Sequence, residues 1–291
     1  MGRKDWAPQW SSTVGLAYFL HPFLMRRSSI AVISVSLLAL AACEPTRTGS
    51  VDPASSNPSS NGIRTEMIQY GSVDGVPLMG YIASPEGSNK RPALILIHEW
   101  WGLNDNMKEF AEQFATEGYT ALAVDLYEGK VATTQDEAGK LATAVRGNTE
   151  RALDNLAQSV AFVRTQPGVD TQSIASVGWC FGGGWSYQMA KNDLGIQATV
   201  MYYGQFDPHD DFAHMKSTIQ GHFGEQDMSI KVDDVKEFQA KLKTANGEHE
   251  VYIYPNAGHG FANANNTEAY NPEAAELAWT RTLEFLRKTL P

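Results

Sequence analysis

Gly178-Trp179-Cys180-Phe181-Gly182 lies between a short apolar run, Ile174-Ala175-Ser176-Val177, and a glycine-rich segment that opens with Gly183-Gly184-Trp185-Ser186. The apolar run reads as a buried strand and the segment after it as a helix. The five residues between them therefore form a sharp strand-to-helix turn with a cysteine at its apex. Such a turn forces the apex residue into a strained backbone angle. It leaves no room for side chains two residues to either side, so both flanking positions must be glycine. A thiol at a helix N-terminus ionises more readily than one in water, because the positive end of the helix dipole faces it. It can then attack a carbonyl without the strong base that a serine hydroxyl needs.

The rest of the chain alternates strands with helices. Residues 63–70 and 77–83 read as strands joined by a turn at Ser72-Val73-Asp74-Gly75, where Asp-Gly is a strong hairpin signal. The continuous apolar run Ala93–Ile97 fits a strand buried on both faces. Met107, Phe110, Ala111 and Phe114 share one face of a helix over 106–117, which Gly118 ends. A strand follows over 120–126, and then one long or two consecutive helices over 134–165. Beyond the 173–177 strand come strands at 197–203 and 217–223, a helix at 231–245, a strand at 249–254 and a final helix at 272–289. The apolar face of that last helix is expected from Leu277, Thr280, Leu283, Phe285 and Leu286. This order predicts an α/β fold: a mostly parallel central sheet with helices on both faces, in a single domain spanning 63–291. No internal repeat is present.

A cysteine nucleophile needs an imidazole base, and the base needs an acid to orient it. The strand Ile219–Phe223 runs into Gly224-Glu225-Gln226-Asp227, which makes Asp227 the candidate acid. The strand Val251–Tyr254 leads into Pro255-Asn256-Ala257-Gly258-His259-Gly260, which makes His259 the candidate base. Taken singly, Asp227 is a turn or cap residue and His259 a loop residue. Taken together, the order nucleophile, acid, His at successive strand ends is the chain order of the α/β-hydrolase triad. After the first buried strand comes His98-Glu99-Trp100-Trp101-Gly102. In this fold the oxyanion hole joins the backbone N–H after the nucleophile to one from that loop, so Phe181 and Trp100 are the candidate donors. Read alone, Glu99 is a cap or surface carboxylate.

Together, His98-Glu99-Trp100-Trp101-Gly102, Asp125-Leu126-Tyr127, the Cys180 turn, Asp227 and Ala257-Gly258-His259-Gly260-Phe261 resemble the dienelactone hydrolase (carboxymethylenebutenolidase) family, from about residue 65 to the end of the chain. The resemblance implies an α/β-hydrolase fold and a Cys-His-Asp triad of Cys180, His259 and Asp227. It implies no metal and no cofactor, and a small-molecule ester or lactone as substrate. It also makes Glu99 a participant that interacts with the resting thiol and helps to deprotonate it. The family's type enzyme grips a substrate carboxylate with two arginines. The corresponding stretches here read Glu128-Gly129-Lys130 and Asn263, with Lys130 the only basic residue in them. A bidentate arginine clamp is not replaceable by Asn or Glu. A neutral substrate is therefore expected, in a pocket made apolar by Trp100, Trp101, Trp179, Phe181 and Trp185, with ordinary core packing the equal alternative for Trp185. A thioesterase or acyltransferase on the same triad, and a non-catalytic binding protein of the same fold, are the competing readings.

The first 43 residues read as a signal region. Arg26-Arg27 precedes an apolar run from Ile30 to Ala42, too short to span a bilayer comfortably, which ends in Leu40-Ala41-Ala42-Cys43. That ending resembles a bacterial lipoprotein box, which makes Cys43 the lipidated residue. An ordinary signal cut near Ala41-Ala42 is the alternative. Residues 44–62, rich in Ser, Pro, Thr, Asn and Gly, read as a flexible tether. Glu44 after the cysteine points to the periplasmic side of the outer membrane. With Lys+Arg 23 against Asp+Glu 33, the net charge of -10 argues against nucleic acid as a partner. A monomer is expected.

Overall fold

The computed structural model describes residues 57–58 and 62–290. The signal region with Cys43, and nearly all of the expected tether, lie outside the described residues. The strands are β1 (Asn57–Pro58), β2 (Ile63–Val73), β3 (Val76–Pro85), β4 (Arg91–Ile97), β5 (Thr120–Val124), β6 (Val169–Trp179), β7 (Ala198–Tyr202), β8 (Thr218–Gly224) and β9 (Glu250–Tyr254). They form one sheet in the order β1-β2-β3-β5-β4-β6-β7-β8-β9. The edge that holds β1, β2 and β3 is antiparallel, and β3 also runs antiparallel to β5. Every pairing from β5 through β4 to β9 is parallel. The expected α/β-hydrolase architecture is therefore the one observed. The β2–β3 hairpin pairs Val73 with Val76 across Asp74 and Gly75, at φ 51° and 77°. Two consecutive positive φ angles are what a two-residue turn of matching twist requires.

The helices are α1 (Asp105–Thr116), α2 (Gln135–Arg146), α3 (Thr149–Val163), α4 (Phe181–Lys191), α5 (Val232–Leu242) and α6 (Pro272–Thr289). Strand alternation divides the interior into two cores. In β4, Leu94 and Leu96 join the core built with α1, α5 and α6, whereas Ala93, Ile95 and Ile97 join the core built with α2, α3 and α4. That two-sided burial is why β4 has no polar face to show in its sequence. The stretch expected as one or two helices resolves into α2 and α3, separated at Gly147-Asn148, and Asn148 caps α3 by accepting from the Arg151 N–H. In α6 the buried face is offset from the expected one. Ala274, Ala278, Thr282, Leu283, Phe285 and Leu286 are buried, while Leu277 is 43% exposed. The buried Thr282 is bonded to the Tyr202 hydroxyl at 2.7 Å, which is how a polar residue came to hold a core position that periodicity gave to Leu277.

Candidate active site

Six loops at the C-terminal ends of the parallel strands build one cleft. At the end of β6, Cys180 has φ 53°, ψ −115°, a strained conformation for any residue with a side chain. The turn is closed by contacts that only glycine permits. A Cβ on Gly178 would fall 2.1 Å from the Gly182 carbonyl oxygen, and one on Gly182 would fall 2.1 Å from the Ile97 carbonyl oxygen. The Cys180 N–H donates to the Tyr202 carbonyl at 2.9 Å, which ties the turn to β7. Cys180 is the N-cap of α4, with no side-chain capping bond. The sulfur thus sits at the positive end of the helix instead of satisfying its N–H groups.

Asp227, after β8, and His259, after β9, come together at this turn. The Asp227 side chain is fully buried, and its Oδ1 accepts from the Ser229 and Ile230 N–H groups at 2.7 and 3.1 Å. That leaves Oδ2 to accept from His259 Nδ1 at 2.8 Å. His259 Nε2 then faces Cys180 Sγ at 3.1 Å. The bond to Asp227 fixes the proton on Nδ1 and turns Nε2 toward the sulfur. Burial opposes a charge on the imidazole. The hydrogen bonds to Asp227 and Cys180, with their charges, outweigh it and carry the His259 pKa up to about 10.

Glu99, after β4, is buried at the edge of the same cleft. Its carboxyl accepts from the Tyr203 hydroxyl at 3.4 Å and from Asn263 Nδ2. Burial pushes its pKa up, against the lowering effects of Asn263, His259 and Tyr203. The expected contact between Glu99 and the resting thiol is absent among the described residues. His259 occupies the thiol, and Asn263 holds the carboxyl. The loop itself is pinned by the fully buried His98, whose Nδ1 donates to the Glu99 carbonyl at 2.6 Å and whose Nε2 accepts from the Leu126 N–H at 3.2 Å. Burial keeps that ring neutral by lowering its pKa. Among the described residues neither the Phe181 nor the Trp100 N–H is taken up by a protein acceptor.

The cleft has a volume of about 930 Å³. Trp100, Trp101, Phe181 and Trp185 line it, but Trp179 does not. That indole is buried in the core, stacked on Phe110 at 4.4 Å and on Tyr202 at 5.5 Å between ring centroids. The cleft is also not the apolar pocket that the tryptophans led us to expect, because eight of its lining residues are Asn or Gln. Lys130 lines a separate, smaller cavity beneath α2. Besides His259, the cation at the cleft is Arg146, the last residue of α2, 5.3 Å from the Phe181 ring centroid. Neither Arg146 nor Tyr203 carried a motif that would have singled it out. Tyr203 was findable only as the residue that follows β7 beside the Cys180 strand, where its φ of 38° turns the chain.

The chain can be set beside known proteins. A model of the dienelactone hydrolase family matches residues 78–290. Protein usf of Aquifex pyrophilus is 33% identical over 232 residues, a match that covers 77% of this chain and 99% of the relative. A Saccharolobus solfataricus protein named "Putative carboxymethylenebutenolidase" is 32% identical over 253 residues, covering 74% and 95%. Among solved structures, a dienelactone hydrolase-like promiscuous phosphotriesterase from metagenomic libraries superposes with a TM-score of 0.72. It is 22% identical and covers 79% of this chain and 100% of that one.

Proposed function

Because the chain belongs to the dienelactone hydrolase family and is a hydrolase of that family, we propose that it cleaves an ester or lactone through Cys180, His259 and Asp227 by way of an acyl-enzyme. The observation that carries this reading is the continuous hydrogen-bonded line from Asp227 Oδ2 through His259 to Cys180 Sγ at the apex of the turn. With its proton on His259, the sulfur attacks the carbonyl carbon as a thiolate. The carbonyl oxygen becomes an oxyanion, for which the unclaimed N–H groups of Phe181 and Trp100 are the donors. His259 Nε2–H then gives its proton to the departing oxygen, and a thioester remains on Cys180.

Acylation removes the sulfur's negative charge. With it goes one of the effects that hold the His259 pKa high, so the imidazole, having given up its proton, stays neutral and free to accept another in the second half of the reaction. It takes a proton from water as the resulting hydroxide attacks the thioester; the carbon–sulfur bond then breaks, the acid is released, and Cys180 leaves as a thiolate beside the protonated His259. Glu99 supports the attack. Its carboxyl, pushed toward the protonated form by burial, places less negative charge at the cleft that holds the sulfur than an ordinary carboxylate would. Cys180→Ala should abolish hydrolysis of 4-nitrophenyl acetate while leaving the circular dichroism spectrum unchanged. Turnover within tenfold of wild type would remove Cys180 from the mechanism.

We also propose that Cys43 is lipidated and that residues 44–62 tether the hydrolase domain to the bacterial envelope, at the periplasmic side of the outer membrane. The support is Leu40-Ala41-Ala42-Cys43 placed directly after the apolar run. Cys43→Ser should move the protein from the membrane fraction to the soluble one. Unchanged membrane association would contradict the anchor.

A further inference from the structure

We propose that the cleft is built to hold a polyhydroxylated ring, so that the ester cleaved is one carried by a carbohydrate. The proposal rests on the hydrolase reading above and deepens it. At about 930 Å³ the cleft far exceeds what an acyl carbonyl occupies, and it lies at the upper end of the roughly 300–1,000 Å³ typical of ligand sites. What fills its wall sets the class of ligand. Of the eight carboxamides, Asn263 is committed to Glu99 and Asn104 caps α1. Among the described residues the side chains of Gln135, Gln205 and Asn266 make no hydrogen bond, and Gln188 uses only its Oε1, which accepts from Asn192 at 3.3 Å.

A carboxamide presents a donor and an acceptor side by side on one neutral plane, and each sugar hydroxyl is likewise both donor and acceptor. Four such groups, set on different elements around one opening, match a ring that carries hydroxyls on several edges. The indoles of Trp100 and Trp101 stand 5.1 Å apart at 61°, both half-buried at the cleft wall. They offer flat apolar faces on which the C–H face of a pyranose can lie. The alternatives fit less well. Ala132 and Ile230 are the aliphatic side chains among the lining residues, so an alkyl chain would find little to pack on and would strip water from the amides. Beyond the catalytic His259, an anionic ligand would meet one cation, Arg146, and the acidic Glu268.

The chemistry is that of the proposed mechanism. The sulfur bonds to the acyl carbon, the bond from that carbon to the sugar oxygen breaks, and the freed hydroxyl takes its proton from His259. Water then releases the acid. The test compares the full chain on methyl 6-O-acetyl pyranosides of gluco, galacto and manno configuration and on cyclohexylmethyl acetate. These share the acyl group, the primary ester and the six-membered ring, and differ in the hydroxyls. We expect kcat/KM at least tenfold higher for one or more of the sugar esters. Gln205→Leu and Trp101→Ala should each lower that ratio threefold or more. If all three sugar esters are cleaved no faster than cyclohexylmethyl acetate, and Cys180→Ala is silent on it, the carbohydrate proposal is overturned and the hydrolase reading stands. If wild type cleaves none of these esters, nor 4-nitrophenyl acetate, both are overturned.

Discussion

His259 shows how a single residue's environment fixes both chemistry and stability. Its imidazole is held between a buried carboxylate and a sulfur, which carries its pKa from the ordinary 6.5 up to about 10. The folded protein therefore binds this proton more tightly than the unfolded chain does. The resulting stabilisation is complete below pH 6.5, fades as pH rises above that value, and is gone once pH passes about 10. The melting temperature should fall between pH 6.5 and 10. In Cys180→Ala, which removes the sulfur's hydrogen bond and charge, it should fall over a narrower window, and the His259 ring protons should titrate at lower pH by NMR. An unchanged His259 titration in that variant would show that the sulfur does not hold the proton there. These residues were legible because a nucleophile turn and two glycine-flanked strand ends are local patterns. Tyr203 and Asn263 were not legible in the same way. Their bonds to Glu99 join positions 104 and 164 residues apart in the chain, and only the packed sheet brings them together.

At the scale of elements, the β6–α4 turn is held by contact between backbones. The Gly182 Cα approaches the end of β4 so closely that a methyl group must displace either the Ile97 carbonyl or the helix. Overpacking of that kind costs about 1–3 kcal/mol, and more where backbone is the obstacle. Gly182→Ala should therefore lower the melting temperature by roughly 2–12 °C for a domain of this size, and it should lower activity further because the helix carries the Phe181 N–H. Gly139, inside α2, is the internal control, because a Cβ there meets nothing within 4 Å. Gly139→Ala should leave the melting temperature unchanged or raise it, since alanine is favoured over glycine in a helix by about 1 kcal/mol. Equal melting temperatures for the two variants would show that the turn tolerates a side chain. Elements with continuous apolar runs, such as β4 and β5, were readable with little error. The ends of elements were not: β6 begins at Val169 and not near 173, because Val169 pairs with Arg91 across a register shift that no local periodicity records.

Over the whole molecule, the parallel order of strands was legible from the alternation of elements. The lining of the cleft was not, since it is assembled from residues on α1, α2, α3, α4 and six loops that no one motif spans. Charge is the property that joins the two scales. The chain carries a net charge of -10, and its field opposes the approach of an anion. The cleft offers Arg146 as a counterweight, but a single guanidinium does not reproduce a two-arginine clamp, and Asn263 holds Glu99. Charge-assisted hydrogen bonds contribute about 1.5–3 kcal/mol each, and about 1.4 kcal/mol is a factor of ten. A neutral lactone should therefore be turned over with a kcat/KM at least tenfold above that of an anionic lactone of matched ring. Raising the salt from 20 to 300 mM, values chosen to shorten the screening length, should narrow that gap by accelerating the anionic substrate alone. Arg146→Ala should widen it. If the anionic lactone is preferred at low salt and slows as salt is added, attraction by Arg146 dominates the field of the whole chain, and the cleft selects for a negative charge.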